Sequence, residues 1–362
     1  MTTATPRGFR DVLPEEAWER GVVSTRVSDA FFSWGYDRIE TSVLERYETY
    51  RAAAGDLEGT AFRLFDGDGQ MLALRPDMTV PIVRLVSARF ADEPGPLRLC
   101  YVADVFREHE SLRGQSRQFC QAGVELVGAS GAWADAEVVA VMSDALAAAG
   151  LVDHTIAIGT VAVLRGLLRA ANASEGLAAE VIAAAHNANV VAIDRLSEGL
   201  GEAGAALRDV VRLRGGREAI DRCRELLDPL GCAAILDQLA AMWDLLAVTG
   251  ISERCLVDFS VMRDFDYYTG LVLEAYAPRL GVPVGGGGRY DDALGKLGRP
   301  RPAAGFAIGL ERLLIALSES GVAIEPPVKP SVVGGDPAAA FAKAAERRRA
   351  GERVVIDPGV RS

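Results

Sequence analysis

The six residues Leu74 to Thr79, LRPDMT, place a carboxylate and a hydroxyl directly after a run with strand character. Pro76 stops that strand, and Asp77 can cap a following helix through its side chain. Aimed outward from a strand end, the same two groups would take a ligand ammonium. A second constellation is Phe106-Arg107 and, after the polar loop EHESLRGQSR, the run QFCQAGVE. Gln121 and Glu125 are an even number of residues apart, so they share one face of a regular strand, while Cys120, Ala122 and Val124 point into apolar packing on the other. Polar side chains on a buried strand need partners. For Arg107, Gln121 and Glu125 those are either an internal Arg–Glu pair or a bound polar ligand.

Three further segments carry chemistry. In RDFDYYTG (residues 263–270) the adjacent Tyr267 and Tyr268 at a strand start face opposite ways, so one packs while the other presents its ring and hydroxyl to a pocket. Gly285 to Gly288, ahead of Arg289-Tyr290-Asp291, permits close backbone approach and reads as a Gly-rich turn. In GFAIGLER (residues 305–312) a Gly-rich strand runs into a helix with Arg312 at its start, placed to hold a phosphate or to pair with Glu311 or Asp77. No GxxxxGK[ST] loop exists and no strand–GxGxxG–helix unit fits, which excludes a P-loop ATPase and a dinucleotide fingerprint. With three His in the chain, no Ser-His-Asp constellation stands out.

The elements that must position these residues read as follows. Residues 15–34 have helical periodicity closed by Gly35, and 61–66 with 70–75 alternate as a hairpin around Gly67-Asp68-Gly69. Residues 97–106 and 118–127 are strands, and Asp135 to Ala149 is a helix stopped by Gly150. From about 160 to 250 the chain is Ala/Leu-rich and helical, in segments 160–172, 176–188, 203–215, 218–227 and 232–248. Strand character returns at 254–260 and 270–277, and a helix spans about 305–320. Pro326, Pro327 and Pro330 mark a linker to a tail with a strand, a helix at 338–349 and a final strand. The pattern predicts an α+β fold: an antiparallel sheet flanked by helices (residues 1–321), a helical insertion at about 160–250, and a short α/β tail (residues 322–362).

Composition narrows the class. The chain has 362 residues, 49% hydrophobic and 25% charged, with a net charge of −11. That is a globular protein able to bury a sizeable core, with no general affinity for nucleic acid. The five cysteines form no CxxC pair, so free thiols in a reducing cytoplasm, without a structural metal, are expected. The N-terminus lacks an apolar signal core, and no uncharged apolar run is long enough for a membrane span.

Taken in order, PRGFRDVLP, LRPDMT, the FR…RQFCQAGVE segment, RDFDYYTG, GGRYDDALGKLG and GFAIGLERL resemble the catalytic core of histidyl-tRNA synthetase, a class II aminoacyl-tRNA synthetase, over about residues 6–320. The resemblance implies a dimeric, class II synthetase-like fold. It places Asp77, Thr79, Arg107, Gln121, Glu125, Arg263, Tyr267 and Tyr268 in a histidine pocket. It also sets Tyr290 on the rim and Arg312 at the position that faces ATP phosphates. The chain departs from the synthetase pattern in three places. The motif 2 loop, FRxER…GRxRQF in the synthetases, here has His109, Glu110 and Gln115 at the Glu, Arg and loop Arg positions, which reverses charge where ATP would sit. Ser42 replaces the motif 1 proline, and 41 residues follow Gly321 where the synthetases carry an anticodon-binding domain.

A histidine pocket kept while the ATP and tRNA machinery is altered is similar to the regulatory-subunit family of ATP phosphoribosyltransferase. That similarity implies a chain with no catalysis of its own and no cofactor. It would act in the first step of histidine biosynthesis and mediate feedback by L-histidine. Its implied partners are a short-form catalytic subunit in a hetero-octamer and a second copy of the synthetase-like core. The competing expectation is a truncated synthetase-like enzyme that still activates histidine with ATP.

Overall fold

The computed structural model describes residues 4–55, 60–108, 116–187, 189–261 and 268–357. Helix α1 (Pro14–Ser33) leads to β1 (Asp37–Arg38). A small three-stranded antiparallel sheet of β2 (Leu44–Arg46), β3 (Arg63–Phe65) and β4 (Met71–Leu74) follows, with α2 (Tyr47–Ala54) inserted after β2. In its hairpin the Asp66 carboxylate accepts from the backbone N–H groups of Asp68 and Gln70 at 3.0 and 2.8 Å. This is the turn chemistry that makes Asp a punctuator between strands. Next come α3 (Thr79–Arg89), the long strands β5 (Leu97–Phe106) and β6 (Gln118–Val127), α4 (Ala132–Ala149) and β7 (Thr155–Thr160). Gly150, in the left-handed region at φ 109°, ends α4 by donating to the carbonyls of Leu146 and Ala147.

The helical segment contains α5 (Val161–Ala170), α6 (Glu175–His186), α7 (Val190–Leu196), α8 (Gly201–Val210), β8 (Arg214–Gly215), α9 (Arg217–Leu227) and α10 (Asp237–Val248). Two details differ from the sequence expectation. Helix α7 is additional, capped by the Asn189 side chain, which accepts from Ala192 N at 3.0 Å. The helix predicted to run to 215 stops at Val210, because Arg214 and Gly215 pair with β9 (Cys255–Asp258). The chain then forms β10 (Leu271–Tyr276), β11 (Gly285–Arg289), α11 (Asp292–Lys296), β12 (Ala303–Gly309) and α12 (Leu310–Glu319).

Among the described residues nine strands form one sheet in the order β1-β5-β6-β12-β11-β10-β7-β9-β8. The central pairings are antiparallel, and β1–β5 and β7–β9 are parallel, so the sheet is mixed. With helices on both sides this is the α+β, class II synthetase-like architecture. Two expectations for this region are corrected. Gly285 to Gly288 is a central strand rather than a turn, because both neighbours press on it. A Cβ at Gly287 would stand 2.1 Å from Gly305 O, so glycine is what lets the strands close. Residues 303–309 are strand and the helix begins at Leu310, because β12 is paired along both edges.

The chain divides into two units, Met1–Asp11 with Arg20–Val322, and Val12–Glu19 with Ala323–Ser362. In the second, β13 (Ser331–Val333) and β14 (Val354–Ile356) pair in parallel. Helix α13 (Pro337–Arg349) buries Ala340 and Ala344 against Val333 and Val354. The Trp18 indole donates to Glu325 O at 2.9 Å. In the first unit, odd-numbered residues of β5 and β6 face a core with Met78, Ile82, Val83 and Val86 of α3. On the opposite face Phe31 of α1 meets Phe306 edge-on, ring centres 5.9 Å apart.

That first unit also holds a buried ion pair. Arg289 donates through Nε and Nη2 to Asp135 Oδ1 at 2.8 and 2.5 Å, and Gln238 donates to Asp135 Oδ2. Both charged side chains are 5% exposed. Asp135→Ala leaves Arg289 the Ala129 carbonyl and, as its remaining carboxylate, the partly exposed Asp291. The expected loss is about 3 kcal/mol of unfolding free energy, measured by urea denaturation. A loss under about 1 kcal/mol would show that Asp291 suffices.

Candidate functional site

Because strand pairing puts directly opposed residues on one face, the register defines the site. Glu125 of β6 faces Gly305 of β12, Gly305 faces Gly288 of β11, and Gly288 faces Val272 of β10. One pleat further along lie Tyr101, Gly123, Ala307, Gly286 and Glu274, each beside the next. The middle of this face therefore carries no side chain at its glycines, a hollow floored by backbone into which neighbouring polar side chains fold.

The glycines do more than leave space. A Cβ at Gly305 would lie 1.9 Å from Glu125 Oε2, one at Gly123 would lie 2.5 Å from the Tyr101 hydroxyl, and one at Gly288 would lie 2.8 Å from the Tyr268 ring. In each case a neighbour's functional side chain lies down across the glycine. Glu125 is 2% exposed. Its Oε2 accepts from the Tyr290 hydroxyl, and its Oε1 accepts from Thr79 Oγ1 at 3.3 Å. Hydroxyl groups, rather than the arginine considered from sequence, satisfy it.

Asp77 reaches the hollow from the start of α3. Its Oδ1 accepts from Val80 N at 3.3 Å, so it serves the helix terminus and also stands beside the site. The turn that carries it is clamped by Arg75, whose guanidinium donates to Asp104 O at 2.8 Å and Thr41 O at 2.9 Å. Arg107 donates from Nε to Pro76 O at 2.8 Å and lies over the Phe119 ring, 5.2 Å from its centre. Gln121, on the Glu125 face as its spacing predicted, has a buried Oε1 without a hydrogen-bond partner among the described residues.

The electrostatics follow from burial. Desolvation pushes the Glu125 carboxyl from 4.5 up to about 8; the Tyr290 and Thr79 hydrogen bonds pull it back, and nearby Asp77 adds to the rise. Burial likewise raises Asp77, against the attraction of Arg107 and backbone N–H groups. Tyr101 is raised well above the tyrosine range, first by burial and then by Glu125 and Asp77. Two acids whose charged forms are disfavoured when the hollow is empty suit a cationic or N–H-bearing ligand.

Asp77, Thr79, Arg107, Gln121, Glu125, Tyr268 and Tyr290 converge on this face. Tyr268 precedes β10 rather than lying on it. Arg263 and Tyr267 lie outside the described residues, as do His109, Glu110 and Gln115 of the loop. Arg312 is exposed and donates to Pro283 O at 3.0 Å, while Glu311 is engaged with Cys120 N and Arg20. Sequence reasoning missed Tyr101 and Glu274. Tyr101 is directly opposed to Gly123, two residues before Glu125, so the same parity rule applied across the β5–β6 hairpin would have found it. Glu274 alternates with buried residues on β10 and accepts from the Tyr276 hydroxyl. Among the described residues no group of three or more His, Cys, Asp and Glu is placed to hold a metal ion. No helix there is long and apolar enough to cross a membrane.

A central antiparallel core, a long hairpin carrying the acid face and a glycine-floored hollow define a class II synthetase-like protein. The histidyl-tRNA synthetase family matches residues 8–313. The crystal structure of histidyl-tRNA synthetase from Nostoc sp. PCC 7120 superposes with a TM-score of 0.78 at 25% identity, covering 100% of this chain and 87% of that one. An ATP phosphoribosyltransferase regulatory subunit from Moorella thermoacetica is 40% identical over 99% of this chain and 92% of its own length. A crystal structure described as an ATP phosphoribosyltransferase regulatory subunit/histidyl-tRNA synthetase from Bacillus halodurans matches with a TM-score of 0.91 and 34% identity, over 100% and 95% of the two chains. The chain belongs to the ATP phosphoribosyltransferase regulatory subunit family.

Two outcomes test the geometry. Gly305→Ala must displace Glu125 or part the strands, at a cost of about 2 kcal/mol or more and several degrees in Tm by differential scanning calorimetry. An unchanged Tm would mean that Glu125 does not lie across position 305. Glu125 also makes stability depend on pH. Between 4.5 and about 8 the folded chain holds a proton that the unfolded chain has lost, so stability falls as pH rises through that window. Glu125→Gln cannot ionise. Its unfolding free energy relative to wild type is expected to climb from about pH 5 to about pH 8, by about 1.4 kcal/mol for each pH unit of displacement, and its Tm to rise with it. Parallel melting curves would show a normally ionising carboxyl.

Proposed function

We propose that this chain is a non-catalytic regulatory subunit of an ATP phosphoribosyltransferase, and that the glycine-floored hollow is its sensor for L-histidine. The observation that carries the sensor is Glu125, a carboxyl buried across Gly305 with Asp77 beside it. An α-ammonium and an imidazole N–H are donors that such acids accept, and the partnerless Gln121 Oε1 is a further acceptor. Arg107 is suited to the ligand carboxylate. Thr79, Tyr268 and Tyr290 hold the acids and the ring, and Arg263 and Tyr267 complete the set by the histidyl-tRNA synthetase resemblance.

The partner is the short-form catalytic subunit, in a hetero-octamer built on dimers of the synthetase-like core, in the cytoplasm. The family membership and the substitutions His109, Glu110 and Gln115 support a role without catalysis, since arginines that would meet ATP are absent from two of those positions. Histidine favours the inhibited arrangement of the complex, and linkage requires that the inhibited complex hold histidine more tightly.

Isothermal titration of the purified chain with L-histidine is expected to give a saturable heat that Glu125→Ala abolishes. No heat at millimolar histidine would sink the sensor. Histidine-dependent ATP–pyrophosphate exchange is expected to be absent, and robust exchange would instead identify a histidine-activating enzyme.

A further inference from the structure

Strand β12 leaves the sheet at Gly309, opposite Gln121. One residue earlier on β6, the N–H of Cys120 points toward the place where the ladder would continue, but the chain there has already turned into α12. The side chain of Glu311, in the first turn of that helix, takes over. Its Oε1 and Oε2 accept from Cys120 N at 3.1 and 3.0 Å. The carboxylate thus replaces the missing strand carbonyl.

Its charge is balanced from α1. Arg20 lies 3.6 Å from Glu311 Oε1 and 2.5 Å from Asp104 Oδ1, and its positive charge acts on the Cys120 thiol beside it. Asp104 in turn accepts from Gln118 Nε2 at 3.1 Å. Arg20, Asp104, Gln118, Cys120 and Glu311 therefore join α1, β5, β6 and α12 around the residue immediately before Gln121. Glu311 and Arg20 are about one-fifth and one-quarter exposed, so the contacts are partly shielded from water.

We propose that Glu311 is a positioning residue for the candidate pocket: by closing the ladder at Cys120 it sets the place of Gln121. This deepens the histidine-sensor reading and rests on it. The physical reason is register. Gln121 lies on the Glu125 face with a buried side-chain oxygen that has no partner among the described residues, and a strand end that frays or slips by one residue turns that side chain to the opposite face.

The test combines a ligand-independent reading with a ligand-dependent one. Amide hydrogen exchange over residues 118–123 is expected to accelerate about tenfold or more in Glu311→Ala, with little change in Glu311→Gln, whose amide oxygen still accepts from Cys120 N. Histidine affinity by titration is expected to fall about tenfold in Glu311→Ala and to recover to within about threefold of wild type in Glu311→Gln, tenfold being what one hydrogen bond of about 1.4 kcal/mol supports. Should Glu311→Ala fail to fold, Glu311→Asp, one methylene short of Cys120, is expected to show both losses. Unchanged exchange overturns the proposal, and so does faster exchange with undiminished affinity. If wild-type chain gives no heat with histidine, the sensor reading fails by itself, and the exchange comparison still decides whether Glu311 fixes this strand.

Discussion

A carboxyl group laid flat on a β-sheet and sealed from water is the constraint on which the rest depends. Glu125 can occupy that place only because the opposing residue is Gly305, whose missing Cβ leaves the volume the carboxylate fills. Removing a carboxylate from water is costly, and two hydroxyl hydrogen bonds repay only part of that cost. The group therefore sits near neutrality in its protonation, held up to about 8.

The surrounding architecture keeps that unfavourable arrangement in one geometry. Asp77 is held by the start of α3 and by Arg75, whose bonds to backbone carbonyls tie it to Thr41 and Asp104. Tyr290 enters from the turn after β11, where its N–H pairs with Ala303 O at 2.8 Å and its hydroxyl reaches Glu125. Near the far end of β6, Glu311 and Arg20 finish the ladder. The candidate site's groups thus come from separate stretches of chain, assembled around the long β5–β6 hairpin. A pocket built this way can persist in proteins whose loops have diverged, consistent with relatives that include both synthetases and regulatory subunits.

How much was legible in the residues differs by kind of inference. Parity alone put Gln121 and Glu125 on one face, because a strand has a period of two whatever surrounds it. The stop signals of α4 and the Asp66 turn were also local. The Gly285–Gly288 run was misjudged as a turn because glycine has poor strand propensity, and only the press of β10 and β12 on either side makes it a strand. Tyr101 was not singled out from sequence; its pairing with Gly123 puts it on the face of Glu125, near the acids. Arg312 donates to Pro283 O, a contact its motif did not foretell.

By itself the amino-acid sequence determined the alternation of faces, local stops such as Gly150 after α4 and the Asp66 turn, the acid and amide types available, and, through ordered motifs, the family. Each of these depends on neighbours within a few residues or on matching segments in order. Only the tertiary structure decided that Glu125 is sealed by a glycine 180 positions away, that hydroxyls rather than an arginine satisfy it, and that Glu311 closes the strand beside Gln121. Those outcomes depend on strand order and register, which bring distant residues within a few ångströms and set how far water is excluded; no local pattern carries that information.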